Sequence, residues 1–404
     1  MLRLVGLVAV WLVCLTIALA GGWQAMWLLV YAFGLLVVGS YAWAHLNVGG
    51  LDLRRRHRAH RLRVGDVFVE QAVLEAGPGA GQWLPRLWIE IHDRSDLPGH
   101  HLDRVLSLGP LGHRVWELRS TCVQRGRFTL GPVWVTSGDP FGLFRASRKL
   151  VEGATIIVYP RTVPLARFGR LPGQLPGGSV AGQRAQYTTP NVSSVRDYQP
   201  GDPFNHIHWR TTARAGRLIV REFELDPATD IWLVVDLGRD VQAGAGAEST
   251  EEYAITTVAS MARLFLDQGR SVGLVCQQAT IPADRGPRQL ERILESLAVV
   301  RAMSHLTLEV MLTAETSRFT RSSTLVVVTP SVSERWVALC QGLSSRGVQT
   351  TAVLVEAATF GPASSTLLLV SSLAAAHIPT YLVKRGEPIE QALAMPRSAT
   401  WRRG

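Results

Sequence analysis

Lysine is almost missing from this sequence. Lys149 and Lys384 are two of 42 basic residues, so arginine carries nearly all of the formal net charge of +10. Six arginines are crowded between positions 54 and 63. Because much of the basic excess is local, the charge does not indicate a nucleic-acid-binding domain, and no nucleic-acid partner is expected.

Cysteine is scarce as well. The four cysteines lie far apart and form no CxxC pair: Cys14, Cys122, Cys276 and Cys340. This usage argues against a disulfide framework and a zinc ribbon, and it is typical of a reducing compartment. A chain of 404 residues nevertheless has room for about two or three domains with apolar cores.

Charged residues are missing between Arg3 and Asp52. This stretch divides at a Gly-Gly pair into two apolar runs, at positions 4–20 and 25–43, each close to the ~20 residues that a membrane-spanning helix needs. Tryptophans stand near the ends of the runs, where indole rings favour the headgroup region. The pattern predicts a two-helix transmembrane hairpin over residues 1–50. A signal peptide ending near Ala20 is the alternative, but a second apolar run follows at once.

Basic residues flank both runs, and we expect four of them to contact lipid headgroups: Arg54, Arg55, Arg56 and Arg58. By the positive-inside rule both termini are then cytoplasmic, in a two-pass protein of the inner (cytoplasmic) membrane. Binding of anionic lipid or nucleic acid through positions 54–63 remains an alternative function.

Short alternating runs separated by Gly and Pro predict a β-sandwich domain over residues 51–160, with strands such as 67–69, 87–91, 115–118 and 133–135. Residues 161–194 are rich in Gly, Pro and Ser and are predicted to be a linker or loop. The histidine pair at 100–101 is expected in a solvated turn.

Arg, Asp, Glu and His are concentrated in residues 195–225, which follow that linker. Twelve positions are motif or docking candidates: Arg196, Asp197, Tyr198, Gly201, Asp202, His206, His208, Trp209, Arg214, Arg217, Arg221 and Glu222. Asp202, His206 and His208 could begin a metal site, or a histidine could act as base for a hydrolase or phosphate-handling enzyme. Further ligands, a nucleophile turn and a phosphate loop are missing nearby. We therefore favour an ion-pair network that braces two domains or docks a partner, with Trp209 as a core anchor.

Several motifs occur in an order that resembles the bacterial domain of unknown function 58 family. They are residues 196–202, 207–209, 213–214, 216–218 and 220–224, with the upstream segments 125–128 and 137–144. The resemblance covers nearly the whole chain. It implies a membrane-anchored protein with a von Willebrand factor A-like domain that is often paired with a MoxR-type AAA+ ATPase, and it brings no settled activity. The chain departs from the family at His208, where relatives usually carry Asp, and at the Asn-His pair 205–206.

Alternating apolar strands and amphipathic helices over residues 226–404 predict a doubly wound, mostly parallel α/β sheet. Its first strand ends at Asp236, where such sheets place ligands. The resemblance puts an Asp-x-Ser-x-Ser metal motif here, but the sequence reads Asp236-Leu-Gly-Arg-Asp240. A Mg²⁺ site using Asp236 and Asp240 is a secondary candidate, since both serines are missing. The alternative is that Asp236 caps a helix or pairs with a motif arginine.

Taken together, the sequence predicts a membrane-anchored cytoplasmic scaffold or assembly factor without a catalytic set, acting with a MoxR-type AAA+ ATPase as partner and without a required cofactor.

Overall fold

The computed structural model describes residues 2–21, 23–57, 61–77, 83–166, 168, 192–199, 207–223, 230–321 and 323–396. The chain forms two compact units, Met1–Arg161 and Thr162–Gly404.

The first unit begins with two apolar helices, α1 (Leu2–Gly21) and α2 (Gln24–Val48). They contact each other, and the indole Nε1 of Trp11 donates a hydrogen bond to the carbonyl of Val30 at 3.0 Å. Within the described residues, α2 is the one helix long and apolar enough to cross a membrane. The apolar N-terminal helices are thus confirmed, whereas the two-pass topology stays a prediction.

Ten strands follow, which confirms the predicted β-rich region. They are β1 (Leu51–His57), β2 (Arg61–Arg63), β3 (Val67–Ala76), β4 (Arg86–Asp93), β5 (Arg104–Leu108), β6 (His113–Thr121), β7 (Gly126–Leu130), β8 (Val133–Gly138), β9 (Arg145–Val151) and β10 (Ala154–Tyr159). The sheet orders are β1-β3-β6, β2-β10-β7 and β5-β4-β8-β9. Strand β3 alternates buried and exposed side chains along most of its length, as a strand with one apolar face does.

Apolar residues from the β1-β3-β6 and β5-β4-β8-β9 sheets form one buried cluster, which includes Leu53, Leu74, Ile89 and Val135. Val48, the last residue of α2, belongs to the same cluster. The end of the apolar helix is therefore part of the core of the β-rich region.

In the second unit, β11 (Val192–Asp197) pairs with β12 (Ile219–Phe223) as an antiparallel ribbon, and α3 (Trp209–Ala215) precedes β12. The remaining elements are β13 (Ile231–Val235), β14 (Gly244–Ala245), β15 (Glu248–Ser249), α4 (Thr250–Asp267), β16 (Val272–Cys276), β17 (Ala279–Asp284), α5 (Pro287–Val299), α6 (Leu308–Ala314), β18 (Thr324–Thr329), α7 (Arg335–Ser345), β19 (Gln349–Val355), α8 (Leu367–Ala375), β20 (Thr380–Val383) and α9 (Ile389–Ala392).

Six of these strands form a sheet with the order β17-β16-β13-β18-β19-β20. All neighbours are parallel except β17, which lies antiparallel at the edge. Every side chain of β13 and β18 is buried, because helices cover both faces of such a sheet. The predicted α/β sheet is present, and the antiparallel strand β17 and the helix α6 are additions that the sequence did not reveal.

Candidate functional site

The strand order of the six-stranded sheet reverses beside β13, whose parallel neighbours are β16 and β18. Open α/β sheets bind ligands at such a switch point, beyond the carboxyl ends of the strands. Asp236 follows β13, Gln277 follows β16, and Thr329 is the last residue of β18. The three side chains meet at this edge of the sheet.

Asp236 is 1% exposed, and both of its carboxylate oxygens accept hydrogen bonds. The hydroxyl of Thr329 donates to Oδ2 at 2.7 Å. The side-chain amide of Gln277 and the backbone N–H of Gly238 donate to Oδ1 at 2.7 and 3.0 Å. The partners of Asp236 are thus a hydroxyl and two amides rather than the motif arginine of the sequence-based alternative.

Burial raises the pKa of Asp236 above its ordinary value, because the low-dielectric surroundings disfavour the charged form. The three hydrogen bonds act in the opposite direction without cancelling that effect, and the nearby Glu309 adds to the rise. Ionisation of Asp236 therefore destabilises the folded protein, and the three hydrogen-bond donors reduce that destabilisation.

The same geometry tests the Mg²⁺ hypothesis, because Mg²⁺ needs octahedral oxygen ligands at about 2.0–2.1 Å. A Cβ on Gly238 would lie 3.2 Å from Oδ1 of Asp236, and the amide of Gln277 fills the neighbouring space. Asp240 points elsewhere, with its exposed carboxylate 3.1 Å from Nδ1 of His305. Within the described ranges no group of three or more His, Cys, Asp or Glu side chains could hold a metal. The residues present do not fit the ion.

Further hydrogen bonds close the rim of the switch point. The side-chain amide of Gln242 donates to the carbonyls of Asp236 and Gly238 at 3.0 and 3.2 Å, and Thr250 donates to Gln242 at 2.7 Å. The backbone of Gly238 forms a bridge with Ser304. This part of the protein is a closed hydrogen-bonded network rather than an open crevice.

The 195–225 motif folds locally around α3. His208 is the N-cap of the helix: its Nδ1 accepts from the backbone N–H of Thr211 at 3.2 Å and lies 2.6 Å from the Thr211 hydroxyl. Gly216 ends the helix with a left-handed φ of 67°, which glycine adopts without strain. Because Nδ1 caps the helix, His208 cannot also use that nitrogen as the general base of the hydrolase hypothesis.

The prediction that Trp209 is a core anchor is wrong, because its side chain is 64% exposed. Arg210 and Arg214 on the same helix and Arg217 after it are also exposed. Arg217 pairs with Asp197 at 3.0 Å, with both side chains more than half exposed. The α3 segment therefore presents an aromatic ring and arginines to solvent.

The other motif candidates are only partly described. Arg196 and Tyr198 lie on or just after β11, and Arg221 and Glu222 lie on β12, where Arg196 pairs with Val220 across the ribbon. Gly201, Asp202 and His206 lie outside the described residues, as does Arg58 of the basic cluster.

Neighbouring arginines of the basic cluster point to opposite faces of β1. The prediction that Arg55 contacts lipid headgroups is wrong. Its side chain is 6% exposed and binds Glu70 at 2.6 and 2.8 Å and Asp93 at 3.3 Å. Arg54 and Arg56 point to solvent, and Arg54 pairs with Asp52 at 3.2 Å. The arginines alternate because β1 is a strand, whose successive side chains point to opposite faces.

His100 joins this buried network and is not in a solvated turn. It is fully buried, with Nε2 2.8 Å from Glu70 and Nδ1 3.0 Å from the hydroxyl of Ser120. Burial opposes ionisation of Glu70, but the hydrogen bonds from His100 and Arg55 outweigh it and lower the pKa of Glu70 to about 2. The alternation of apolar Leu51 and Leu53 with the charged positions was the available sequence signal for β1.

Residues 194–358 match the model of a family described as "Protein of unknown function DUF58", which confirms the resemblance drawn from the motifs. The chain is 27% identical over 180 residues to the uncharacterized protein YeaD of Bacillus subtilis, covering 44% of this chain and 43% of that protein. It is 28% identical over 144 residues to the uncharacterized protein Rv1480 of Mycobacterium tuberculosis, covering 35% of this chain and 45% of that protein. The chain thus spans less than half the length of these relatives.

Similar solved structures include a von Willebrand factor type A protein from Catenulispora acidiphila, with 8% identity, a TM-score of 0.29 and coverage of 44% of this chain and 42% of that one. Another is the pilus adhesin SpaC from Lactobacillus rhamnosus GG, with 10% identity, a TM-score of 0.32 and coverage of 41% and 30%. The strand order β17-β16-β13-β18-β19-β20 is by itself that of an open α/β sheet.

Proposed function

We propose that this chain, which carries the DUF58 sequence in residues 194–358, is a membrane-anchored scaffold or assembly factor that acts by docking a protein partner. The supporting observation is a contrast between two places in the second unit. The switch point is closed by hydrogen bonds to Asp236, whereas the α3 segment exposes Trp209 with three arginines around it.

Tryptophan and arginine are the residue types that dominate binding energy at protein interfaces. Trp209 offers a large apolar surface, and Arg210, Arg214 and Arg217 offer charge-assisted hydrogen bonds to acidic groups. The partner that the family resemblance implies is a MoxR-type AAA+ ATPase, and an acidic or aromatic surface on that ATPase would complement α3.

The anchor would be the apolar helix α2, together with α1 in a two-pass hairpin that leaves both termini cytoplasmic. The β-rich region would be a β-sandwich that holds the α/β unit, of the von Willebrand A type, close to the inner membrane. Exposed Arg54 and Arg56 would face the cytoplasmic side, where anionic lipids attract basic residues. Mg²⁺ is not part of this proposal.

The test is capture of a purified MoxR-type ATPase from the same organism, with the detergent-solubilised full chain as bait and a non-hydrolysable ATP analogue present. Trp209→Ala should weaken capture about 30-fold or more, which corresponds to the loss of about 2 kcal/mol or more expected of an interface hot spot. Leu368→Ala is the control, since Leu368 is an exposed apolar side chain of the second unit that lies on α8 rather than on α3.

Two results would overturn the proposal. If the wild-type chain fails to capture the ATPase with nucleotide trapped, the named partner is wrong. If Trp209→Ala and Leu368→Ala capture it equally well, the α3 segment is not the docking surface.

A further inference from the structure

The end of α2 is embedded in the β-rich region rather than connected to it by a linker. Ser40, Ala44, Asn47 and Val48 are buried on one face of the helix. Asn47 donates to the hydroxyl of Ser137 at 2.5 Å and accepts from the backbone N–H of Leu87 at 3.1 Å.

Arg86 strengthens this junction. Its guanidinium is buried and donates to the carbonyls of Leu46, Asn47 and Gly49 at the end of α2, at 2.8 and 3.0 Å for the first two. These carbonyls would otherwise be orphans of the helix end, where a cation is favoured. The end of the helix is therefore hydrogen-bonded directly to the strands beside it.

This embedding shortens the part of α2 that is free to lie in lipid. Residues 24–39 precede the first side chain buried in the junction, Ser40. At 1.5 Å per residue they span about 24 Å, whereas the hydrocarbon core of a bilayer is about 30 Å thick. A membrane-crossing α2 would therefore bring the surface of the β-rich region around Ser40–Val48 to the lipid boundary.

That surface is apolar. Six large exposed side chains lie on the segments at the α2 end of the strands, and we name them the collar: Trp83, Leu84, Leu87, Trp88, Leu111 and Phe141. Leu84 lines a cleft with Trp43 and Leu46 of α2, and the turn that carries Phe141 ends at Phe144, whose ring packs on Tyr41 of α2 at 5.5 Å. The carbonyl of Gly112, the residue after Leu111, accepts a hydrogen bond from the backbone N–H of Ala76. Ala76 pairs with Leu51, which lies three residues after the end of α2, so Leu111 is also close to that end.

Backbone strain holds two members of the collar outward. Trp88 has a φ of 59° and Leu111 a φ of 49°, a region that residues with bulky side chains rarely adopt. At Leu87 and Trp88 the pairing of β4 with β5 is irregular, so two consecutive side chains both face solvent. Residues in this region of φ persist only where the surrounding structure holds them, and they are enriched at functional sites.

We propose that the collar is a membrane-interface element that inserts among the lipid headgroups and upper acyl chains around α2. The inference rests on the anchoring in the proposed function and adds to it a fixed depth and orientation of the β-rich region on the bilayer. Indole rings are well suited to this layer, because they have an apolar body and a polar N–H. Leucine and phenylalanine supply the apolar area that interfacial elements bury.

The test is nitroxide labelling of single cysteines in the full chain, reconstituted in vesicles of phosphatidylcholine and phosphatidylglycerol. Leu84→Cys, Trp88→Cys and Phe141→Cys probe the collar in a Cys14→Ala background, since the other three cysteines are buried. Val67→Cys is the control: Val67 is exposed and apolar, and it lies nine residues along β3 from Ala76, about 30 Å from the α2 end.

Collisions with dissolved oxygen should exceed those with a water-soluble nickel chelate several-fold at the three collar sites, and the order should be reversed at Val67. If collisions with the nickel chelate exceed those with oxygen at the collar sites, as they do at Val67, the inference is overturned. Spin–spin broadening between copies would assign the collar to a dimer and would also overturn it.

Two further measurements separate the possible failures. Extraction of the wild-type chain from membranes by alkaline carbonate would refute the anchoring itself, whereas an anchored chain with a water-exposed collar refutes only the collar. Trp88→Gly relieves the backbone strain, so it tests the side chain without endangering the fold. It should make the labels at positions 84 and 141 more accessible to the nickel chelate.

Discussion

Removing the guanidinium of Arg55 is the most decisive perturbation of the first unit. Arg55→Met keeps most of the apolar stem but leaves Glu70 and Asp93, both with fully buried side chains, without their shared cation. Breaking a buried ion pair by removing one partner typically costs about 3–5 kcal/mol. Glu70 keeps His100 and Asp93 keeps the hydroxyl of Ser95 at 2.7 Å, so we expect the lower end, about 3 kcal/mol.

The assay is hydrogen exchange of the β3 amides in the detergent-solubilised full chain, because β3 lies between β1 and β6 and reports opening of the first unit. A loss of about 3 kcal/mol corresponds to exchange about 100-fold faster. Arg56→Met is the matched control, since Arg56 is the next residue on the same strand but is exposed. It should change stability by no more than about 0.5 kcal/mol.

The double variant Arg55→Met with Glu70→Gln tests whether the uncompensated charge of Glu70 causes the loss of stability. Glutamine carries no charge that needs a cation, so part of the lost protection should return. Equal exchange in Arg55→Met and Arg56→Met would refute the buried network and restore the headgroup role that the sequence suggested for Arg55.

Three other outcomes are expected. The pKa of Glu70 in the folded state is about 2, below the ordinary 4.5. Its contribution of about 3 kcal/mol to the free energy of unfolding is therefore present above pH about 4.5 and is lost as the pH falls to about 2. The stability of the first unit should fall over this pH range in the wild type, whereas the stability of Glu70→Gln should change little over the same range. Asp236→Leu should destabilise the second unit by about 2–4 kcal/mol, because the amides of Gln277 and Gly238 lose their acceptor, whereas Asp236→Asn should cost about 1 kcal/mol or less. Thermal melting measures both, and a rise of the wild-type melting temperature with Mg²⁺ that Asp236→Asn abolishes would contradict the closed switch point. Burial raises the pKa of Cys340 to about 12, so its thiol should react with a maleimide only after unfolding, and rapid labelling of the native chain would contradict its placement in the core.

Much of the second unit could be predicted because its signals are local. The run that becomes β13 is apolar throughout, and such a run is typical of a strand buried on both faces. The start of α4 is set locally too, since the hydroxyl of Ser249 accepts from the backbone N–H of Glu252 at 3.3 Å, as an N-cap side chain does. Strand β17 was missed because an edge strand alternates weakly and is stabilised by its pairing with β16.

The predictions for individual side chains were less accurate, because exposure depends on what packs against a residue. Trp209 was expected in a core on its residue type, yet its side chain is exposed. Arg55 was grouped with Arg54 and Arg56 because the three are adjacent in the chain. Their separation became visible only when β1 paired with β3 and brought Glu70 beside Arg55.

Four features could be predicted without the structure, because each depends on a pattern of neighbouring residues: the apolar N-terminal helices, the β-rich region, the α/β sheet and the family resemblance. The tertiary structure alone decided that Thr329 and Gln277, from strands far apart in the chain, close over Asp236. It also decided that Arg86 seals the end of α2 and that the collar lies beside it. Such contacts join residues 37 or more positions apart, and the register that creates them is fixed only when the sheets assemble.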